Sequence, residues 1–111
     1  MTPEELLLPR WKVIANFPES PYKIGYIIIY GYFRLNNSEY FRRDLMMYPA
    51  LFKKLDWWED RKVEDMPTHI KSIKSGQTFE VIDYSLDYNE VEYWGSTGEE
   101  QVSQLTNFIP A

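Results

Sequence analysis

A lone histidine, two groups of carboxylates and one basic stretch are the side chains of this sequence with types and spacing that could do chemistry. His69 stands a few residues after Glu64 and Asp65, and a histidine paired with a carboxylate can move a proton near neutral pH. No second histidine and no cysteine accompanies it. That excludes a thiolate zinc site, a cysteine nucleophile and a disulfide framework, and it leaves His69 reading as a surface residue of a predicted strand. The carboxylates gather at Glu59, Asp60, Glu64 and Asp65 and again at Asp83, Asp87, Glu90 and Glu92. Paired acids of this kind can cleave glycosides or hold a hard cation, but the spacing matches no calcium loop, and they read as solvated acids at strand ends and turns. The five glycines are scattered, with neither G-x-G-x-x-G nor G-x-x-x-x-G-K among them, and no serine sits in a G-x-S-x-G elbow. The sequence therefore predicts a protein that is not an enzyme and carries no cofactor and no metal.

Arg42, Arg43, Lys53, Lys54, Arg61 and Lys62 fall in one middle segment, interleaved with Tyr40, Phe41, Trp57 and Trp58. Cations and rings together can hold a single nucleic-acid strand by charge and stacking. Glu39, Asp44, Asp56, Glu59 and Asp60 lie in the same stretch and cancel much of that field. The whole chain has 17 acidic against 12 basic residues, a net charge of −5, the wrong sign for neutralising phosphates. A small single-stranded nucleic-acid-binding barrel using Arg42, Arg43, Lys53 and Lys54 is therefore an alternative, and nucleic acid is a disfavoured partner. The adjacent pair Trp57 and Trp58 carries more information. Neighbours on a helix or a strand point different ways, so one ring can anchor the core while the other faces outward. An outward tryptophan beside Tyr48 and Phe52 would form a protein-binding patch of Tyr48, Phe52, Trp57 and Trp58. Coverage of both rings, one by the core and one by the N-terminal segment or the 17–24 loop, is the competing expectation.

The elements that must position these residues follow from local pattern. Thr2 as cap, Pro3 at the first helical position and Glu4 and Glu5 in the first turn predict a short N-terminal helix that Pro9 ends. Residues 10–16 alternate as a strand, 17–25 carry two prolines and a glycine as a loop, and 26–33 are rich in isoleucine and aromatics, as a central strand is. Leu35 to Ser38 reads as a turn and Glu39 to Arg43 as a returning strand, a hairpin over 26–43. The triplet Asn36-Asn37-Ser38 matches a glycosylation acceptor and is more simply part of that turn. Pro49 opens the one main helix, about 49–58, on which Leu51, Leu55 and Trp58 have the spacing of a buried stripe. Strands follow at Thr68 to Ile73, Thr78 to Ser85 and Val91 to Trp94, with turns at Ser75-Gly76 and at Leu86 to Asn89. Gly95 to Glu100 reads as polar loop and Leu105 to Ile109 as a last strand.

A length of 111 residues suits one core, so residues 1–111 are read as a single globular domain, with a faint two-fold similarity between 9–58 and 67–111. The expected fold class is α+β: a small curved antiparallel sheet or SH3-like barrel with the main helix and the short N-terminal one. The opening residues lack both the basic region and the apolar run of a signal peptide, and the longest apolar run, Tyr26 to Tyr30, is far too short to span a bilayer. A cytoplasmic protein with no membrane partner is expected, in keeping with the absence of cysteine.

The stretches ELLLPRWKVIANFPESPYKIGYII (5–28) and YPALFKKLDWWEDR (48–61), with the ending LTNFIPA (105–111), resemble small uncharacterised proteins encoded by bacterial viruses and prophages. Many members of that group continue past the final Pro-Ala into a short acidic helix, so the resemblance leaves open a trimmed C-terminus at Ala111. It implies a phage or mobile-element setting and carries no activity onto any residue. The function expected from all of this is a protein-interaction or structural module whose partner is a protein, either another copy (a homo-oligomer), a virion component or a host protein. A further alternative is an inhibitor of a host defence or nucleic-acid-binding protein, with carboxylates standing where phosphates would sit.

Overall fold

The fold is described from a computed structural model over residues 1–16, 22–29 and 37–111, with 37–40 described by their backbone alone. Along the chain the elements are α1 (Pro3–Leu6), β1 (Arg10–Val13), β2 (Ile27–Ile29), α2 (Asn37–Met47), β3 (Phe52–Leu55), β4 (His69–Ser72), β5 (Thr78–Ser85), β6 (Glu90–Trp94), β7 (Glu100–Gln104) and β8 (Phe108–Pro110). Single 3-10 turns occupy Pro49–Leu51, Val63–Asp65, Leu86–Tyr88 and Leu105–Asn107. The class is α+β, with two open antiparallel sheets, and neither sheet closes into a barrel among the described residues. No helix among them is long and apolar enough to cross a membrane. The chain forms two compact units, Leu8–Asp56 and a second made of Met1–Leu7 with Trp57–Ala111.

In the first unit β1 is the centre of a three-stranded sheet in the order β2-β1-β3. The register sets Val13 opposite Phe52 and Trp11 opposite Lys54, so these four share one face. Phe41 of α2 packs on that face with Val13 and Phe52, and Leu45, one helical turn further on, joins the same cluster. The rings of Phe41 and Phe52 lie 5.2 Å apart.

Two expectations are corrected here. Glu39 to Arg43 is not a returning strand, because Asn37–Met47 is an α-helix; of the expected turn at 35–38, residues 35 and 36 lie outside the described residues and Asn37 and Ser38 belong to the helix. The main helix expected at about 49–58 is likewise absent. Pro49 starts only a 3-10 turn, and residues 52–55 then pair with β1 along their whole length. The physical reason lies in the burial of Phe52 and Leu55 on opposite faces of β3, which gives a helix-like spacing of three between apolar residues in an extended segment. Tyr48, with φ −133° and ψ 57°, breaks the helix before Pro49, as the steric restriction on a residue preceding proline requires. Parts of the expected 17–25 loop and 26–33 strand, residues 17–21 and 30–33, lie outside the described residues; what is seen of that strand is β2.

The second unit has a five-stranded antiparallel sheet in the order β7-β6-β5-β4-β8. Its inner face buries Ile70, Tyr84, Val91 and Phe108, over which Trp58, Met66 and Leu105 pack. Val81 and Tyr84 both point into this core although they are three positions apart, an odd spacing that a regular strand would send to opposite faces. A bulge between Val81 and Asp83 resolves the conflict: one extra residue restores the phase, and Ile82 and Asp83 both lie outward. Helix α1 begins as the sequence predicts, with Thr2 Oγ1 accepting a hydrogen bond from the Glu5 amide at 3.2 Å. Its C-terminal end is tied to the rest of the unit by Arg61, whose guanidinium donates to the carbonyls of Leu6 (3.2 Å) and Trp57 (2.5 Å). The expected strands at 68–73, 78–85 and 91–94 correspond to β4, β5 and β6. The expected last strand at 105–109 is instead a 3-10 turn followed by the short β8, and β7 stands partly in what reads as loop.

Candidate functional site

The rings of the sequence-derived patch go to different places. Trp58 is 6% exposed inside the second unit's core, and its indole N–H donates to Asn89 Oδ1 at 3.0 Å. Trp57 is half-buried against the same core, donates from its indole to the Phe108 carbonyl at 2.9 Å, and meets Trp58 edge to face with ring centres 5.7 Å apart. Neighbouring positions in a turn let two rings grip one core from two sides. Phe52 is buried in the first unit, and Tyr48 is exposed after two exposed methionines, Met46 and Met47. Phe52 and Trp58 are thus committed to packing, each within the core of its own unit.

The basic alternative divides in a similar way. Arg42 and Arg43 are exposed on α2, while Lys53 and Lys54, adjacent on β3, point to opposite faces of the sheet. The Lys54 ammonium lies 5.7 Å from the centre of the Trp11 ring. His69 is exposed on β4, 2.9 Å from the Thr68 hydroxyl, and its cross-strand neighbour is Glu80. Among the described residues no group of three or more histidine, cysteine or acidic side chains is arranged to hold a metal ion. A half-open cleft of about 500 Å³ lies beside Phe79, Tyr93 and Phe108. Two hydroxyls on its wall are already engaged, Ser72 Oγ by the Ser75 amide and Ser103 Oγ by the Asn107 side chain, and the cleft pairs no nucleophile with a base.

The most distinctive surface is the outer face of the five-stranded sheet across β5, β6 and β7, which gathers Asp83, Glu90 and Glu92 of the second carboxylate group with residues the sequence did not single out, Trp94 and those of β7. Cross-strand register puts Asp83, Glu92 and Val102 in one row, Ser85, Glu90 and Gln104 in a second, and Trp94 with Glu100 in a third. Trp94 is 41% exposed and Val102 61%, and the bulge adds Ile82 to the same side. Acidic side chains therefore share this face with a few exposed apolar ones, Ile82, Trp94 and Val102. Desolvation, the Glu100 carboxyl with which it shares a hydrogen bond, and Asp83 together raise the pKa of Glu92 above its ordinary value. Like charges across neighbouring strands are unfavourable, so these carboxylates raise one another's cost of ionisation. What obscured this face in the sequence is β7, Glu100–Gln104, whose single apolar residue gives no strand signal. Comparison of the chain with protein-family models, with curated proteins and with solved structures finds no match.

Proposed function

We propose that this protein is a non-enzymatic protein-interaction module of phage or mobile-element origin, and that its contact surface is the outer face of the five-stranded sheet. The observation that carries the reading is Trp94, 41% exposed on a regular strand and set among Asp83, Glu92 and Glu100 with Val102 and Ile82 nearby. A large ring ringed by charge is the composition of an interface hot spot, in which the ring supplies buried area and the charges supply selectivity and orientation. The partner is a protein with a basic, partly apolar surface. A surface that ordinarily holds nucleic acid has that chemistry, and the row of carboxylates supports the related reading of an inhibitor that occupies such a surface.

The test is a pull-down from host lysate with the wild type, Trp94→Ala and the double variant Glu92→Lys/Glu100→Lys, followed by calorimetry on the purified candidate. Truncating an interface tryptophan of this kind costs about 2 kcal/mol or more of binding, near thirtyfold. A discrete partner that both variants lose supports the reading. A partner held equally by all three proteins, or none retained at micromolar concentration, refutes it.

A further inference from the structure

We propose that the free edge of β7 accepts an extended, basic segment of a partner protein, which joins the sheet as a sixth strand. The proposal rests on the interaction reading above and names the partner's chemistry. Two backbone bonds bracket the β6–β7 ladder, Leu105 N–H to Asn89 C=O at 2.8 Å and Gly95 N–H to Glu99 C=O at 2.7 Å. Hydrogen-bonded and non-bonded pairs alternate in an antiparallel ladder, so Val91 with Ser103 and Tyr93 with Gln101 exchange the bonds between these two. The N–H and C=O groups of Glu100, Val102 and Gln104 consequently point away from β6, and no backbone partner meets them among the described residues.

Native sheets blunt such edges with proline, lysine, a bulge or a covering element. The opposite edge has two of these, since β8 contains Pro110 and α1 lies against it. β7 has none: its register with β6 is regular, it holds no proline and no cation, and four of its five residues are exposed. An added strand would set its own outward side chains beside Glu100, Val102 and Gln104, with Glu92 and Glu90 one strand further in. Lysine or arginine at alternate positions meets that row. A second copy of this chain brings another net charge of −5, which opposes pairing with an acidic edge. A basic segment is the better occupant.

The probe is a capped heptapeptide of alternating lysine and valine, titrated into the full-length protein labelled for amide spectroscopy and hydrogen exchange. Pairing slows exchange of the Glu100, Val102 and Gln104 amides at least tenfold, with little change at Gln101 and Ser103. Val102→Pro removes an outward N–H without touching a β6–β7 bond and weakens the peptide about tenfold. Val102→Lys keeps the backbone, repels the same peptide, and serves if the proline variant does not fold. The proposal is overturned if the peptide leaves those amides unchanged, if backbone N-methylation of the peptide does not reduce affinity, or if a glutamate-valine peptide binds equally well. Light scattering that finds a dimer dissolved by Val102→Lys would assign the edge to a second copy and overturn it too. Binding lost in Trp94→Ala and kept in both Val102 variants sinks the edge and spares the face; the reverse pattern sinks the face and spares the edge.

Discussion

Replacing Asn89 by glycine isolates one hydrogen bond that joins the Trp57-Trp58 turn to the β5–β6 connection. Asn89 sits in the left-handed region at φ 56°, ψ 38°, where glycine is at no steric disadvantage, and its amide and carbonyl keep their bonds to Leu86 and Leu105. What disappears is the Oδ1 acceptor 3.0 Å from the indole nitrogen of Trp58. At 6% exposure that ring has little access to water, so its N–H is left unsatisfied at a cost of about 1–3 kcal/mol. Against a total stability of about 5–15 kcal/mol the loss is large, and for a chain of this size each kcal/mol lowers Tm by about 4 °C. In a Trp58→Phe background no N–H exists to be orphaned, and Asn89→Gly should cost about 0.5 kcal/mol or less, giving a coupling of at least about 1 kcal/mol between the sites. Urea unfolding of the four proteins, followed by the fluorescence of the remaining tryptophans, measures that coupling. An additive cycle, or a neutral Asn89→Gly in the wild type, would refute the claim that Asn89 is the acceptor the buried indole depends on.

Two further outcomes follow from titratable groups. Tyr84 is buried and donates its hydroxyl to the Pro67 carbonyl, and burial raises the phenol's pKa well above its ordinary value. The unfolded phenol ionises near about pH 10 while the folded one stays neutral, so this stabilisation is complete below that pH and is lost as the pH rises beyond it. Tyr84→Phe should therefore lose about 0.5–1.5 kcal/mol at pH 7 and show a shallower alkaline decline, measured by chemical denaturation at pH 7 and pH 11. For Glu92 the folded pKa is likewise raised, so its protonated form favours the fold and stability falls as pH climbs through the window above the ordinary carboxylate value. Glu92→Gln should raise Tm at pH 7, with the difference closing as the wild-type carboxyl becomes protonated; a gain that persists at pH 3 would remove charge repulsion as its cause.

The second unit was the more legible part of the sequence. Its strands carry inward apolar residues at a spacing of two and are bounded by Ser75-Gly76 and by the Leu86 to Asn89 turn, so alternation and turn chemistry agree. The exception within β5 is the stretch Val81 to Tyr84, where the alternation skips a beat; the cue for the bulge was present in the residue types, but only pairing with β6 shows which residue is extra. β7 was hidden because an edge strand solvated on both faces needs no apolar pattern, and with it went the face that carries Trp94. In the first unit two local signals competed. Phe41 and Leu45, four apart, mark the packed face of α2, but the polar residues preceding them also suit a turn, and the apolar spacing of β3 imitates a helix. Tertiary pairing with β1 decided between them. The adjacent tryptophans mark a packing point in the sequence, yet which rings are covered depends on distant acceptors, Asn89 and the Phe108 carbonyl, that no local window contains.

The division of the chain also has an order in time. Met1–Leu7 belongs to the same unit as Trp57–Ala111, and Leu8–Asp56 forms a body of its own between them. During synthesis α1 leaves the ribosome long before β8, the strand it packs against. At about 5–20 residues per second the wait is on the order of ten seconds, during which the inserted unit can complete its own sheet while the exposed leucines around Leu6 have no partner. Translation thus delivers Leu8–Asp56 before Trp57–Ala111, and the capped turn at Thr2, together with the grip of Arg61 on Leu6 and Trp57, ties residues made before the inserted unit to residues made after it.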